Sequence, residues 1–249
     1  MKVPTPTPTS GTRRGFDPEM LFLVAQPVVP MSKRHQPAYY EMLLRVEDDD
    51  GLVHTPDVIL HSTPTDKTLD ELDEWVLRTT IQWLNENPSK AASVNITPAT
   101  MRSGSAIRAA RIALEEFEVA SERLMLEVPE LSVTIDPEAF KVCATEVEEL
   151  GMRIAIDDLG SDWRALATIR DVGVDAVKID GYWVTRAVDD EIAQITIQSI
   201  VNAARLIGAP IVAEWIEDEE TFELISGLGI EYGQGWLFGH PVRLDQVAS

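Results

Sequence analysis

Cysteine is nearly missing from these 249 residues, and its single copy, Cys143, excludes an internal disulfide framework and a cysteine-rich zinc site. It is read as a helix core residue. Histidine is also sparse; His35, His54, His61 and His240 form no HxxxH pair, so no imidazole is assigned to a metal. Basic residues are outnumbered, with Lys+Arg 21 against Asp+Glu 42 and a formal net charge of −21. That excludes a phosphate-neutralising face and, with it, long DNA or RNA as a partner. A small anion held through metal ions is still compatible. No apolar run approaches the ~20 residues of a membrane span, and the opening MKVPTPTPTSGTRRG has no apolar targeting segment. The expectation is a cytoplasmic protein with no membrane partner, in which residues 1–15 are a disordered Pro/Thr-rich tail and residues 16–249 form one domain, a length normal for an α/β barrel.

What is present is a series of short apolar runs that each stop at a polar residue: SVN at Asn95, LMLE at Glu127, RIAID at Asp157, DAVK at Lys178 and IVAE at Glu214. LFLVAQPVV from Leu21 and AYYEMLLRV from Ala38 read as a hairpin. Beyond them, LDELDEWVLRTTIQWL puts Leu69, Leu72, Trp75 or Val76, and Ile81 on one helical face. Helical stretches near Ala106–Phe117, Pro137–Leu150, Arg164–Val172, Asp190–Leu206 and Glu219–Leu228 then alternate with the strands, and Gly151, Gly208 and Gly229 stand where helices should stop. This is the pattern of a TIM-like (β/α)8 barrel with an irregular first strand pair. In such a barrel, residues at the C-terminal strand ends converge on one mouth. Several carboxylates gathered there repel one another by roughly 4 kcal/mol per pair at ~4 Å and an effective dielectric near 20, so one lysine cannot balance them and a divalent cation is the natural remedy. Any one acidic strand end is commonly a helix cap or a solvated rim; it is the joint pattern that points to metal-assisted phosphate chemistry.

Eight segments, in order, resemble the EAL domain, the cyclic di-GMP phosphodiesterase module of bacterial signalling: QPVV at Gln26, EMLLR at Glu41, VNIT at Asn95, LEVPE at Glu127, IDDLG at Asp157, VKID at Lys178, AEWIE at Glu214 and GQGWLFGHP at Gln234. The resemblance implies Mg²⁺ or Mn²⁺ in a two-metal site, held by Glu41, Asn95, Glu127, Asp157 and Asp158. It implies Glu214 as the general base and Lys178 as the group that steadies the water or the phosphorane charge. Gln26, Arg45, Asp180, Glu217 and Gln234 would bind substrate or line the pocket. The implied partner is cyclic di-GMP, with a homodimer or a protein partner compatible.

The chain also departs from the family's pattern. LEVPE carries Pro129 where threonine is usual, and Asp162 and Arg164 replace a usual glycine and serine after the Asp pair. Trp215 stands where glycine is usual, and the stretch before the first helix lacks the usual FIPxAE-like sequence. The reading is therefore hydrolysis of cyclic di-GMP to linear pGpG, with a weakly active or inactive cyclic di-GMP receptor or protein-interaction module as the alternative. For Arg45, an ion pair with the Asp48 to Asp50 run is the structural rival; that run itself reads as a solvated hairpin turn.

Overall fold

The computed structural model describes residues 18–56, 64–160 and 163–247. The expected tail at 1–15, His61 and the substituted Asp162 lie outside the described residues. Strands β1 (Leu21–Pro30) and β2 (Tyr39–Glu47) form the expected hairpin, with Gln26 opposite Glu41. Parallel pairing then runs from β2 through β4 (Ala92–Asn95), β5 (Leu124–Pro129), β6 (Arg153–Leu159), β7 (Ala176–Ile179) and β8 (Ile211–Ala213) to β9 (Tyr232–Gly233). Antiparallel pairing of β9 to β1 closes the eight strands into a barrel. Two short strands, β3 (Val53–His54) and β10 (Val242–Arg243), extend the sheet outside it along β2 and β1.

The helices are α1 (Asp66–Glu86), α2 (Pro98–Ser103), α3 (Ser105–Glu116), α4 (Glu130–Ile135), α5 (Pro137–Glu149), α6 (Trp163–Val172), α7 (Gly181–Val184), α8 (Glu191–Ile207) and α9 (Glu219–Gly227). The long ones fall within a few residues of the expected ranges. In α1, Val76 rather than Trp75 takes the buried position beside Leu72 and Ile81. Local chemistry sets the ends: Thr65, Thr97, Asp136, Asp190 and Asp218 each accept a backbone N–H as N-caps, and Gly208 ends α8 in the left-handed region at φ 76.

The main core lies between barrel and helices and includes Cys143, whose thiol is pushed up to about 12 by burial and then by Glu146. A smaller cluster of Val28, Met125, Ala155, Ala176 and Val212, with Tyr39 and Tyr232, packs separately. Each of these residues lies two positions before or after one of the polar residues singled out above, which puts it on the same strand face. The cluster is therefore the apolar layer inside the barrel beneath the polar strand ends. Asp48 makes the turn expected of its run, accepting the Asp50 and Leu52 N–H groups at 3.0 and 2.9 Å. Its other oxygen meets His54 at 2.7 Å.

Candidate active site

Lys178 is fully buried at the end of β7, and its Nζ reaches four carboxylates: Glu127 at 2.7 Å, Glu214 at 2.7 Å, Asp157 at 2.9 Å and Glu41 at 3.3 Å. Strands β2, β5 and β6 and the residue after β8 supply them, as convergence at the mouth of a barrel requires. Glu214 directly follows β8, while Asp157 and Asp158 sit where the β6–β7 register shifts between Ile156 and Leu159. Neighbouring strand residues normally point to opposite faces, but the irregularity, with Asp158 at φ 54, brings both aspartates to one side.

Glu41 is the most fully engaged carboxylate. Asn95 Nδ2 donates to its Oε1 at 2.7 Å and Gln234 Nε2 to its Oε2 at 2.7 Å. Gln234 Nε2 also reaches Gln26 Oε1 at 3.2 Å, and Gln26 Nε2 donates to the Gly239 carbonyl at 3.3 Å. Burial works against the charge on Glu41, but Lys178 and the two amides outweigh it and hold its carboxyl below the ordinary range. Glu127, Glu214 and Asp158 move the other way. Burial, relieved by Lys178 and reinforced by Glu41 and Asp157, pushes Glu127 to about 8. Burial likewise carries Glu214 well above its ordinary value, and desolvation at the rim with the charges of Asp157 and Asp180 pushes Asp158 to about 6. For Lys178, burial disfavours the ammonium, yet Asp157, Glu127, Glu214 and Glu41 together hold it well above the usual lysine range.

The donor set fits divalent cations. Glu127 Oε1 is buried without a hydrogen-bond partner among the described residues, an oxygen that a cation would satisfy. Asp157, Asp158 and Glu214 each offer an oxygen, all within 4.8 Å of one another. These ligands are hard oxygens, with no sulfur or imidazole among them.

Beside the cluster opens a cleft of about 440 Å³ lined by Gln26, Glu41, Leu43, Glu214, Trp215, Glu217, Gln234, Gly235 and Trp236. Gly235 is required there, because a Cβ would collide with the backbone of Ile216, whose N–H and carbonyl bond to Gln234 and Leu237. Of the residues expected to bind substrate, Gln26, Glu217 and Gln234 line this cleft. Arg45 and Asp180 are not among its lining residues. Arg45 is half-buried with Nη1 donating to the Leu44 carbonyl at 2.7 Å, while Asp48 pairs with His54. Asp180 Oδ1 accepts the Tyr182 N–H at 2.8 Å as the N-cap of α7.

Three contributors were not anticipated. Leu43 and Trp236 line the cleft, and Tyr39 carries a buried hydroxyl without a partner among the described residues, its pKa raised by burial and then by Glu127. Leu43 and Tyr39 each lie two residues from Glu41 on the same strand, a period-2 signal that the sequence did contain.

The family model described as EAL domain matches residues 12–241. Among curated proteins, the chain is 30% identical over 227 residues to "Cyclic di-GMP phosphodiesterase PdeF" of Escherichia coli (strain K12), covering 90% of this chain and 30% of that protein. It is 25% identical over 228 residues to "Cyclic di-GMP phosphodiesterase PdeB" of Shewanella oneidensis, covering 90% of this chain and 27% of that protein. The chain thus spans about a third or less of the curated relatives' length. Among solved structures, "PaMucR Phosphodiesterase, c-di-GMP complex" aligns with TM-score 0.86 at 25% identity, over 92% of this chain and 95% of that one. The FimX EAL domain of Pseudomonas aeruginosa bound to c-di-GMP aligns with TM-score 0.82 at 20% identity, over 90% and 91% of the two chains, a likeness of fold.

Proposed function

This chain belongs to the EAL domain family, and on that premise we propose that it is a metal-dependent phosphodiesterase that hydrolyses cyclic di-GMP to linear pGpG. The observation that carries the reading is the convergence of Glu41, Glu127, Asp157 and Glu214 on the buried Lys178, with Asp158 beside them at the rim. Residues 16–249 are the domain that performs it.

Glu41, Asn95, Glu127, Asp157 and Asp158 would hold the ions of a two-metal site; Mg²⁺ or Mn²⁺ suits these oxygens. When bound, such ions polarise the phosphate and acidify the attacking water. Glu214 would take the proton from the water that attacks phosphorus. Its carboxyl, moved up by burial, is a stronger base than a solvated one. Lys178, kept charged by its neighbours, would offset the negative charge that develops on the phosphoryl oxygens. Asn95 and Gln234 fix Glu41 through both its oxygens, and Gln26 in turn fixes Gln234, so one wall of the cleft is oriented before substrate arrives. Glu217 lines the same wall. Arg45 offers a guanidinium suited to a phosphate oxygen or a guanine edge, and Asp180 acts at the rim through its charge on Asp158.

The test is to incubate the purified chain with cyclic di-GMP and Mg²⁺ or Mn²⁺ and separate the products. Linear pGpG that disappears in excess EDTA is the expected result. Binding without product would replace the enzyme by a receptor, and product formation undiminished by EDTA would remove the metal mechanism.

A further inference from the structure

Trp215 has an unusual backbone for so large a residue. Its φ is 57, in the left-handed region that bulky side chains avoid. It is also 60% exposed, although it directly follows the buried Glu214 and lines the cleft. Its ring is backed on one side: a Cβ added at Gly181 would meet Cγ, Cδ1 and Cδ2 of the indole at once, so the pyrrole face lies flat on that glycine's backbone. With one face held and the side chain still largely open, the indole forms a platform rather than a packing element. Trp236 lines the same cleft and is 56% exposed, its ring supported by His240 at 5.1 Å between centroids.

Backbone strain of this kind persists where the surroundings over-determine it, and it concentrates at functional sites. A core role does not account for a side chain more than half open to solvent. What a flat, open aromatic surface does beside a phosphate-handling cluster is stack a nucleobase, a contact that tolerates any base because every base has a π-face.

We propose that Trp215 is a substrate-binding residue whose free indole face stacks a purine of the dinucleotide while the ions that the carboxylate cluster would hold take its phosphate. This rests on the reading of the chain as a cyclic di-GMP phosphodiesterase. Base stacking on a tryptophan is lost on truncation at ~1–3 kcal/mol, or roughly 5- to 150-fold in affinity.

The experiment compares the parent chain with Trp215→Ala and Trp215→Phe. Affinity for cyclic di-GMP is measured by calorimetry with Ca²⁺ in place of the activating ion. Turnover is measured on cyclic di-GMP and on bis(4-nitrophenyl) phosphate, which carries no purine. Trp215→Ala is expected to weaken cyclic di-GMP binding at least fivefold. It should also lower the ratio of kcat/KM for cyclic di-GMP to that for the nitrophenyl diester by a similar factor. Trp215→Phe should regain most of both. A parent chain that binds cyclic di-GMP as strongly as Trp215→Ala does would overturn the stacking role and leave the proposed activity standing. A parent chain that neither binds nor hydrolyses cyclic di-GMP would overturn both. An equal fall on the two diesters, with a lowered thermal midpoint that Trp215→Phe restores without restoring the ratio, would make Trp215 structural instead.

Discussion

Lys178 holds a positive charge out of water by touching carboxylates on four other strands or strand ends. Removing one member of a buried, paired network leaves the rest uncompensated, which typically destabilises by ~3–5 kcal/mol. Lys178→Met should therefore lower the thermal midpoint in EDTA, by about 2–4 °C for each kcal/mol lost in a chain of this size. Calorimetry in EDTA checks this, and an unchanged midpoint would mean that the ion pairs contribute nothing to the fold. Glu214 has a different part to play. As the proposed general base, it should show its effect in kcat: Glu214→Gln is expected to lower kcat by about 10²–10⁴ with a much smaller change in KM. Steady-state kinetics on cyclic di-GMP distinguishes the two outcomes, since a change confined to KM would assign Glu214 to binding alone.

At the scale of elements, the turn after β4 is tied down by a residue far away in sequence. Asp73 of α1 is buried, and its Oδ2 accepts the Thr97 N–H at 2.7 Å, two residues beyond Asn95. Burial pushes its carboxyl up to about 6 from 3.8, against the hydrogen bonds from Thr100 and Thr97. A raised carboxyl pKa means that the folded chain holds this proton more tightly than the unfolded one. The stabilisation is thus complete below pH 3.8 and is lost as pH rises through about 6. Two units correspond to about 3 kcal/mol. Asp73→Asn keeps an acceptor for Thr97 and removes the titration, so its stability relative to the parent should rise between pH 4 and pH 7. Denaturant melts of both proteins across that range test it, and parallel curves would show that Asp73 does not titrate there. Nothing in the sequence marks Asp73 as more than one acid among many on α1, because its burial depends on where β4 docks. By contrast, β4 to β8 were legible, since an apolar run stopping at a polar residue is a local pattern. The two-residue β3 and β10 carry no periodicity to read, and the short helices α2, α4 and α7 give less than two turns of pattern.

For the molecule as a whole, barrel closure decides what sequence alone could not. Trp215 lies one residue and Trp236 two residues from an expected site residue, yet whether an indole there packs inward or faces a cleft is fixed only when β8, β9 and β1 close side by side. The same closure concentrates negative charge at the mouth of a chain already at −21. A divalent ion bound there should stabilise the fold, because it binds the folded chain and relieves the repulsion among Glu41, Glu127, Asp157, Asp158 and Glu214. At a hundredfold excess over Kd the gain is about 2.7 kcal/mol, and the midpoint should rise by roughly 5–10 °C. Screening of the net charge by any salt would also raise it, so the comparison must be made against NaCl at equal ionic strength. A double change, Glu127→Gln with Asp157→Asn, should abolish the excess rise while leaving the general salt effect in place. If Mg²⁺ and Mn²⁺ raised the midpoint no further than NaCl does, the acidic mouth would be an electrostatic burden rather than a metal centre. If the double variant kept the full rise, the stabilising ion would be bound at some other place on the acidic surface.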